Sequence, residues 1–279
     1  MNSFGLKRLA DLIYHKVGLN YVTNTASLEN KTKARLEFLK QSPADYCEYL
    51  QSNPSEWKTL IELITINETY FYREEHQLLQ LKENILPFLK QHVKHRPIRI
   101  WSAACSTGEE PYTLGMIVKE TGLFSDGEVE IVATDINQKV LDKAMSGMYF
   151  KNSLSFRRIP GSYLSQYFQE KQDHYEVDPS IKKMISFQNV NLLDPKIIGT
   201  LGQFDVIFCR NVLIYFDMDT IKKVIDTFYQ RLRPDTYLFL GHAEMLPSQS
   251  HGLKLVNAAN AFYYRKENVD ETLRSIGGR

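Results

Sequence analysis

The sequence has few cysteines and shows no pattern of paired ones. Cys47, Cys105 and Cys209 are the three cysteines among 279 residues, and they lie far apart. They form no CxxC motif, and any disulfide scheme leaves one of them over. This usage is typical of a protein that stays reduced inside the cell. We therefore expect a cytoplasmic protein without structural disulfides.

Long hydrophobic runs are also missing. The first twelve residues carry charges at Lys7, Arg8 and Asp11 and contain no continuous apolar stretch. A signal peptide or a membrane-spanning helix needs such a stretch. We therefore expect neither secretion nor membrane insertion.

Neither sign of charge is in excess. The sequence has 34 basic and 33 acidic residues, so it has no net field to hold nucleic acid or an anionic bilayer. Glycine and proline are sparse, at 14 and 10 residues, while 43% of the residues are hydrophobic. These proportions exclude a disordered or collagen-like chain. We expect a folded protein that does not bind nucleic acid.

The first part of the chain has apolar residues at helical spacing. Leu6, Leu9, Ile13 and Val17 lie on one face of a helix that Gly18 ends. Similar patterns follow, and they predict an all-α domain over residues 1–75. A longer helical pattern then runs to Pro97 and predicts a linking helix over residues 76–96.

After Pro97, short apolar runs alternate with helical patterns, which is typical of a parallel sheet covered by helices. Strands are predicted at residues 98–103, 129–134, 185–189, 205–209 and 237–241, with an antiparallel edge strand at 261–265. Helices are predicted at residues 111–121, 138–146 and 220–233. Residues 148–184 break this alternation and predict a small antiparallel β insertion. The fold class is therefore α/β, with a Rossmann-like domain over residues 97–279.

The first predicted strand leads into a loop of small residues, 102–110, before Pro111 begins a helix. Ligands of doubly wound sheets bind beyond the carboxyl ends of the strands, where this loop lies. The loop lacks the G-x-G-x-x-G pattern and the Walker lysine. A dinucleotide or ATP is therefore not the expected ligand.

Acidic residues occupy the positions where a phosphate would otherwise bind. Glu109 and Glu110 could accept hydrogen bonds from a ligand ammonium group, or they could simply complement the helix dipole. Asp135 follows the second strand, where such folds bind ribose hydroxyls, although Asp135 or Asn137 could instead cap the next helix. These residues would suit a nucleoside that carries a cation and no phosphate, and S-adenosylmethionine fits this description.

Six short sequence blocks along the chain are distinctive. The two most distinctive are NETYFYRE at residues 67–74 and CRNVLIYF at residues 209–216. The others lie at residues 101–112, 133–135, 191–193 and 241–244. In this order the six blocks resemble the chemotaxis receptor methyltransferases, the CheR family, and the resemblance covers nearly the whole chain.

This resemblance implies a Rossmann-like methyltransferase with an N-terminal helical receptor-docking domain and a small β-subdomain. The implied reaction transfers a methyl group from S-adenosylmethionine to glutamate side chains on the cytoplasmic helices of chemoreceptors, giving methyl esters and S-adenosylhomocysteine. The family's cofactor contacts fall on Asn67, Thr69, Arg73, Glu110, Asp135, Asn191, Leu192, Arg210 and Asn211. Asp135 would hold the ribose, and Asn191 and Leu192 would lie near the adenine.

The implied reaction needs alignment more than proton transfer. A glutamate is ionised at neutral pH and the sulfonium is already activated, so no metal and no catalytic base are expected. Arg73 and Tyr215 could supply fixed donors that orient the carboxylate. The alternatives are a buried aromatic role for Tyr215 and an ion pair of Arg73 with Glu74 or Glu75.

Substrate recognition is expected in two places. Lys31, Lys33, Arg35 and Lys40 make one helix locally basic, so that it could dock on acidic receptor helices or be only a solvated face. The segment 169–174 lacks glycine and is short, so we expect no binding of a receptor tail peptide. We also expect a monomer. A non-catalytic module that binds the cofactor and a methyltransferase for another protein both remain open.

Overall fold

The computed structural model describes residues 3–246, 252–258 and 260–268. The remaining positions of the predicted domains, including residues 269–279, lie outside the described residues. Within the described part, no helix has both the length and the apolar content to cross a bilayer.

Four helices form the N-terminal domain because each has an apolar face to bury. They are α1 (Ser3–Val17), α2 (Thr25–Leu39), α3 (Pro43–Ser52) and α4 (Glu56–Ile64). The start of α3 is fixed by a capping box, in which the Ser42 and Asp45 side chains each accept from the other's backbone N–H. The buried side chains of Leu9, Ile13 and Leu28 form the centre of this domain's core.

Arg35, which the sequence placed on a basic face, is instead bound to a buried carboxylate. Its Nε and Nη2 donate to the two oxygens of Glu56 at 2.9 and 2.6 Å, and the Tyr46 hydroxyl donates to the same carboxylate at 2.7 Å. The Glu56 side chain is only 6% exposed. Arg35 therefore joins α2 to α4, and the free cations of this helix are fewer than the sequence indicated.

Glu56→Gln is expected to destabilise the N-terminal domain by about 2 kcal/mol at neutral pH, because hydrogen bonds to a charged group are lost. The Arg35 hydrogen bonds lower the pKa of Glu56. The contribution is therefore complete above the ordinary glutamate pKa and is lost as the pH falls through the lower folded-state value. Urea unfolding between pH 7 and pH 3 should show the two proteins converging in acid. Glu48→Gln, at an exposed pair, is the control, and an unfolding difference that does not depend on pH would contradict this account.

The linking segment is helical but is not one regular α-helix. It consists of α5 (Glu75–Gln80), a π-helical turn (Leu81–Ile85) and α6 (Leu86–His92). The N–H of Leu86 donates to the carbonyl of Leu81, five residues earlier. Pro87 follows and has no N–H, so regular α-helical bonding cannot continue across this point.

In chain order, the strands of the described residues are β1 (Ile98–Ala103), β2 (Val129–Asp135), β3 (Met148–Phe150), β4 (Phe168–Glu170), β5 (His174–Val177), β6 (Ile185–Asn189), β7 (Phe204–Cys209), β8 (Leu232–Leu240), β9 (Leu253–Ala258) and β10 (Ala261–Lys266). Among the described residues, seven of them form one sheet in the order β6-β2-β1-β7-β8-β10-β9. The first five of that order are parallel, and β10 pairs antiparallel with β8 and β9. The predicted α/β fold class is confirmed.

Helices cover both faces of this sheet. They include α5, α7 (Glu109–Glu120), α8 (Gln138–Ser146), α10 (Pro179–Lys182), α11 (Pro195–Thr200) and α12 (Met218–Arg231), whereas α9 (Gly161–Tyr167) contacts β4 of the insertion. Alternate strand residues point to opposite faces. Ile100 therefore packs in one core with Tyr112, while Trp101 packs in the other with Phe228. Burial on both faces explains why the central strands read as continuous apolar runs.

Two details of the sheet differ from the sequence prediction. Helix α12 ends at Arg231 and β8 begins at Leu232, although Pro234 indicated a break before a strand at 237. The structure accommodates Pro234 where the pairing of β7 and β8 is irregular and Asp235 has a φ of 59°. Strand β9 was not predicted, because its side chains are exposed or only partly buried and its apolar alternation is weak.

The insertion contains a separate antiparallel sheet in the order β3-β5-β4. Aromatic contacts attach it to the rest of the protein. The ring of Phe71 lies 4.9 Å from that of Tyr149, 5.3 Å from that of Phe156 and 5.1 Å from that of Phe168, centroid to centroid. The insertion is therefore packed against the segment between α4 and α5.

Candidate functional site

A cavity of about 570 Å³ lies at the carboxyl ends of the parallel strands. Residues 104–106 after β1, 135–136 at the end of β2, 190–192 after β6 and 210–212 after β7 form its floor. Parallel strands bring these segments to one edge of the sheet although they are distant in sequence. The N-terminal domain forms the opposite wall, so the cavity lies between the two domains.

The structure places every site residue named from the sequence on the lining of this one cavity: Asn67, Thr69, Arg73, Glu110, Asp135, Asn191, Leu192, Arg210, Asn211 and Tyr215. The N-terminal domain adds lining residues that the sequence did not assign to the cavity. Among them are Tyr21 and Lys31, whose side chains both donate to the carbonyl of Ile64, at 2.6 and 3.3 Å. Burial raises the pKa of Tyr21 to about 12 and lowers that of Lys31.

The loop after β1 is held by Asp135. Ala104 and Ser106 have positive φ angles of 59° and 51°, so the loop turns sharply at the cavity. One oxygen of Asp135 accepts from the N–H of Ser106 at 2.8 Å, and the other accepts from the N–H of Asn137 at 2.9 Å. Burial raises the pKa of Asp135. The cap of α8 is Asn137, which accepts from the N–H of Val140, so Asp135 is not needed for that role.

The two neighbouring acids at the start of α7 point in different directions. Glu110 lines the cavity and accepts from the Ser102 hydroxyl at 2.6 Å. Glu109 is 1% exposed and accepts from the hydroxyls of Thr107 and Ser155, at 2.6 and 2.8 Å. Burial raises the pKa of Glu109. Of the two acids, only Glu110 is placed to meet a ligand, while Glu109 ties the loop to the insertion.

Arg210 joins three segments beneath the cavity. Its side chain is 2% exposed, and its Nε donates to Glu110 at 2.7 Å. Its Nη1 donates to the carbonyl of Arg73 at 2.7 Å and lies 3.7 Å from an oxygen of Glu74. A buried guanidinium between two carboxylates leaves few donors free. Arg210 therefore has a structural role in addition to its place on the floor of the cavity.

Arg73 and Tyr215 supply hydrogen-bond donors on the cavity wall. Arg73 donates to the carbonyl of Glu68 at 2.9 Å, and its guanidinium lies 5.5 Å from the ring centroid of Tyr70. Within the described residues, Arg73 forms no ion pair with Glu74 or Glu75. Tyr215 ends a 3₁₀ turn, and burial raises the pKa of its hydroxyl while the charge of Arg73 opposes the shift.

Glu244 holds the loop that carries Asn211 and Tyr215. This carboxylate accepts from the backbone N–H groups of Asn211, Leu213 and Gly241, at 2.8, 2.7 and 2.6 Å. Glu244 is 3% exposed, and the φ of Asn211 is 61°, so the carboxylate stabilises an unusual backbone path. The sequence named the block 241–244 without giving this acid a role. In the sequence, the only indication of this role was that an acidic residue closely follows an apolar strand.

The donors and acceptors on the lining suit a cationic nucleoside. Asn211 lines the cavity, and its Oδ1 is buried without a hydrogen-bond partner among the described residues. On the floor, Ile136, Val190 and Leu192 provide an apolar surface of the kind against which an adenine ring packs. Within the described ranges, no cluster of three or more histidine, cysteine, aspartate or glutamate side chains could hold a metal ion.

Comparisons with known proteins show a consistent family. The sequence profile described as CheR methyltransferase, SAM binding domain matches residues 67–262. The chain is 36% identical to Chemotaxis protein methyltransferase 2 of Vibrio cholerae, over 98% of this chain and 96% of that protein. It is 35% identical to the chemotaxis protein methyltransferase of Escherichia coli, over 85% and 83% respectively. A solved magnesium protoporphyrin IX methyltransferase from Synechocystis is matched at 13% identity and a TM-score of 0.35, over 78% of this chain and 91% of that one.

Proposed function

Because the chain belongs to the CheR methyltransferase family, we propose that it transfers a methyl group from S-adenosylmethionine to glutamate carboxylates of chemoreceptor cytoplasmic domains. The products are glutamyl methyl esters and S-adenosylhomocysteine. The observation that carries this proposal is the meeting, in one cavity, of acids suited to a cationic nucleoside and donors suited to a carboxylate. No metal is part of the proposal.

The floor of the cavity would hold the cofactor. Asp135 would accept from the ribose hydroxyls, and Glu110 would accept from the ammonium group, with Asn211 beside it on the lining. The part of the floor at Asn191 and Leu192 would lie against the adenine. When bound, S-adenosylmethionine supplies an activated methyl group, so a glutamate that is already ionised needs no general base.

The substrate carboxylate would be oriented by donors on the rim of the cavity. Arg73 lies between α4 and α5 and Tyr215 follows β7, and Lys31 of α2 adds a third donor on the lining. Orientation of this kind lowers the entropic part of the barrier. The basic residues of α2 support docking on an acidic helix, with Arg35 excluded because it is bound to Glu56.

Labelled S-adenosylmethionine and a purified chemoreceptor cytoplasmic fragment test the proposal. We expect label on the fragment that mild base releases as methanol, because a methyl ester hydrolyses whereas a methylated amine does not. A non-catalytic cofactor-binding module would bind S-adenosylhomocysteine in a calorimeter and label nothing. Label on another protein, with none on the receptor fragment, would indicate a different substrate.

Tyr215→Phe is expected to reduce kcat about tenfold without changing the affinity for S-adenosylhomocysteine, because one donor to the carboxylate is lost. Burial raises the pKa of this hydroxyl, so it stays protonated throughout the physiological range. The loss should accordingly be the same at pH 6.5 and pH 8.5. Tyr229→Phe, outside the cavity lining, is the control. A loss that grows with pH would show that the hydroxyl titrates and would contradict this role.

We also propose a monomer that acts without a receptor tail peptide. The strands β4 and β5 of the insertion are joined by residues 171–173 alone, which supports a short hairpin without an extended binding loop. Calorimetric titration with a receptor tail peptide should give no binding at micromolar concentrations. Micromolar binding would contradict the proposal.

A further inference from the structure

Arg157, from the insertion, reaches the wall of the cavity. Its Nη2 donates to Glu68 at 2.8 Å, across 89 positions of sequence. Its guanidinium carbon lies 3.9 Å from the ring centroid of Tyr70, on which Arg73 is also placed. Tyr70 is therefore in contact with two guanidinium groups, one from the segment before α5 and one from the insertion.

Glu68 creates an electrostatic problem for the proposed substrate. It lines the cavity, its side chain is 66% exposed, and its charge raises the pKa of the Tyr215 hydroxyl. Hydrogen bonding from Arg157 lowers the pKa of Glu68, so that carboxylate is ionised at neutral pH. An incoming glutamate side chain would meet this negative charge near the donors that should receive it.

The ion pair of Arg157 with Glu68 has little value as a structural contact. The two side chains are 32% and 66% exposed, and pairs of this kind contribute little to folding stability because water screens them. This pair differs from other exposed ion pairs in its position, because it lies beside the hydrogen-bond donors of the cavity. We therefore expect the pair to affect substrate binding.

We infer that Arg157 is a positioning residue for the substrate, which neutralises Glu68 and fixes Tyr70 so that the cavity admits an anionic side chain. This inference rests on the proposed function, because it assumes a carboxylate substrate. It gives the insertion a role in methyl transfer that is separate from any binding of a receptor tail. Arg157 acts through Glu68 and Tyr70 and is not itself a catalytic residue.

The test is steady-state kinetics with the full chain, S-adenosylmethionine and a chemoreceptor cytoplasmic fragment. Arg157→Ala should raise the KM for the fragment about fivefold, as expected for one uncompensated charge at a partly exposed site. It should leave kcat within about twofold and the calorimetric affinity for S-adenosylhomocysteine unchanged, because the floor of the cavity is not altered. The KM difference should shrink at high salt, because salt screens the exposed charge.

Two further variants separate charge neutralisation from other effects. Arg158→Ala removes the same charge one residue away, and Arg158 has no hydrogen bond or ion pair within the described residues, so its KM should match the wild type. Adding Glu68→Gln to Arg157→Ala should return KM to near the wild-type value, because the unpaired carboxylate is gone.

The inference is overturned if Arg157→Ala has the same KM as Arg158→Ala, or if Glu68→Gln gives no rescue. An absence of methyl transfer by the wild type to the receptor fragment would instead overturn the proposed function, and this inference with it.

Discussion

Arg73→Ala is expected to lower kcat/KM for methyl transfer by at least about a hundredfold, the usual cost of losing one preorganised charged donor. The guanidinium lines the cavity, and its charge acts on the Tyr215 hydroxyl. Its hydrogen bond to the Glu68 carbonyl and its contact with Tyr70 fix its position. Initial rates with labelled cofactor and a receptor fragment measure the loss.

Arg73→Lys should recover part of this loss, because it keeps the charge but not the planar arrangement of donors. Arg158→Ala is the matched control and should retain full activity. S-adenosylhomocysteine affinity, measured by calorimetry, separates a defect in substrate orientation from one in cofactor binding. A rate within tenfold of the wild type for Arg73→Ala would show that the carboxylate is oriented by other groups.

Arg210→Met is expected to destabilise the methyltransferase domain by about 3–5 kcal/mol, because removing one partner of a buried ion pair leaves a buried charge uncompensated. The side chains of Arg210, Glu110 and Glu74 are 2%, 11% and 9% exposed. Methionine fills a similar volume but cannot donate to either carboxylate. Urea unfolding measures the loss.

A second substitution and a surface control make the stability test specific. Glu110→Gln added to Arg210→Met should recover part of the loss, because one unpaired charge is removed. Arg8→Met breaks an exposed ion pair with Glu48 and should cost less than about 1 kcal/mol. A similarly small loss for Arg210→Met would mean that water reaches the pair.

The sequence predicted the parallel part of the sheet well because its central strands are buried on both faces and stand out as apolar runs. It also placed the loop 102–110 and Asp135 at the carboxyl ends of the strands, where ligands of such sheets bind, whereas Arg210 was named only through the family resemblance. Pro234 was misleading because an irregular pairing of β7 with β8 accommodates it. The π-helical turn at Leu81–Ile85 has no signal in apolar spacing.

Contacts between distant segments could not be predicted. Which of Glu109 and Glu110 lines the cavity depends on how α7 is rotated relative to the insertion, which provides Ser155. The pairing of Arg35 with Glu56 depends on how α2 packs on α4. Glu244 accepts from N–H groups of a loop about 30 residues earlier, a contact that no short motif reveals.

Mass spectrometry of a chemoreceptor cytoplasmic fragment incubated with this protein and S-adenosylmethionine tests the central claim most directly. We expect the fragment to gain the mass of one methylene for each modified site, with the added mass on glutamate residues and removed by mild base. Methylation confined to other residue types, or an unchanged fragment mass while the protein binds S-adenosylhomocysteine, would contradict the claim.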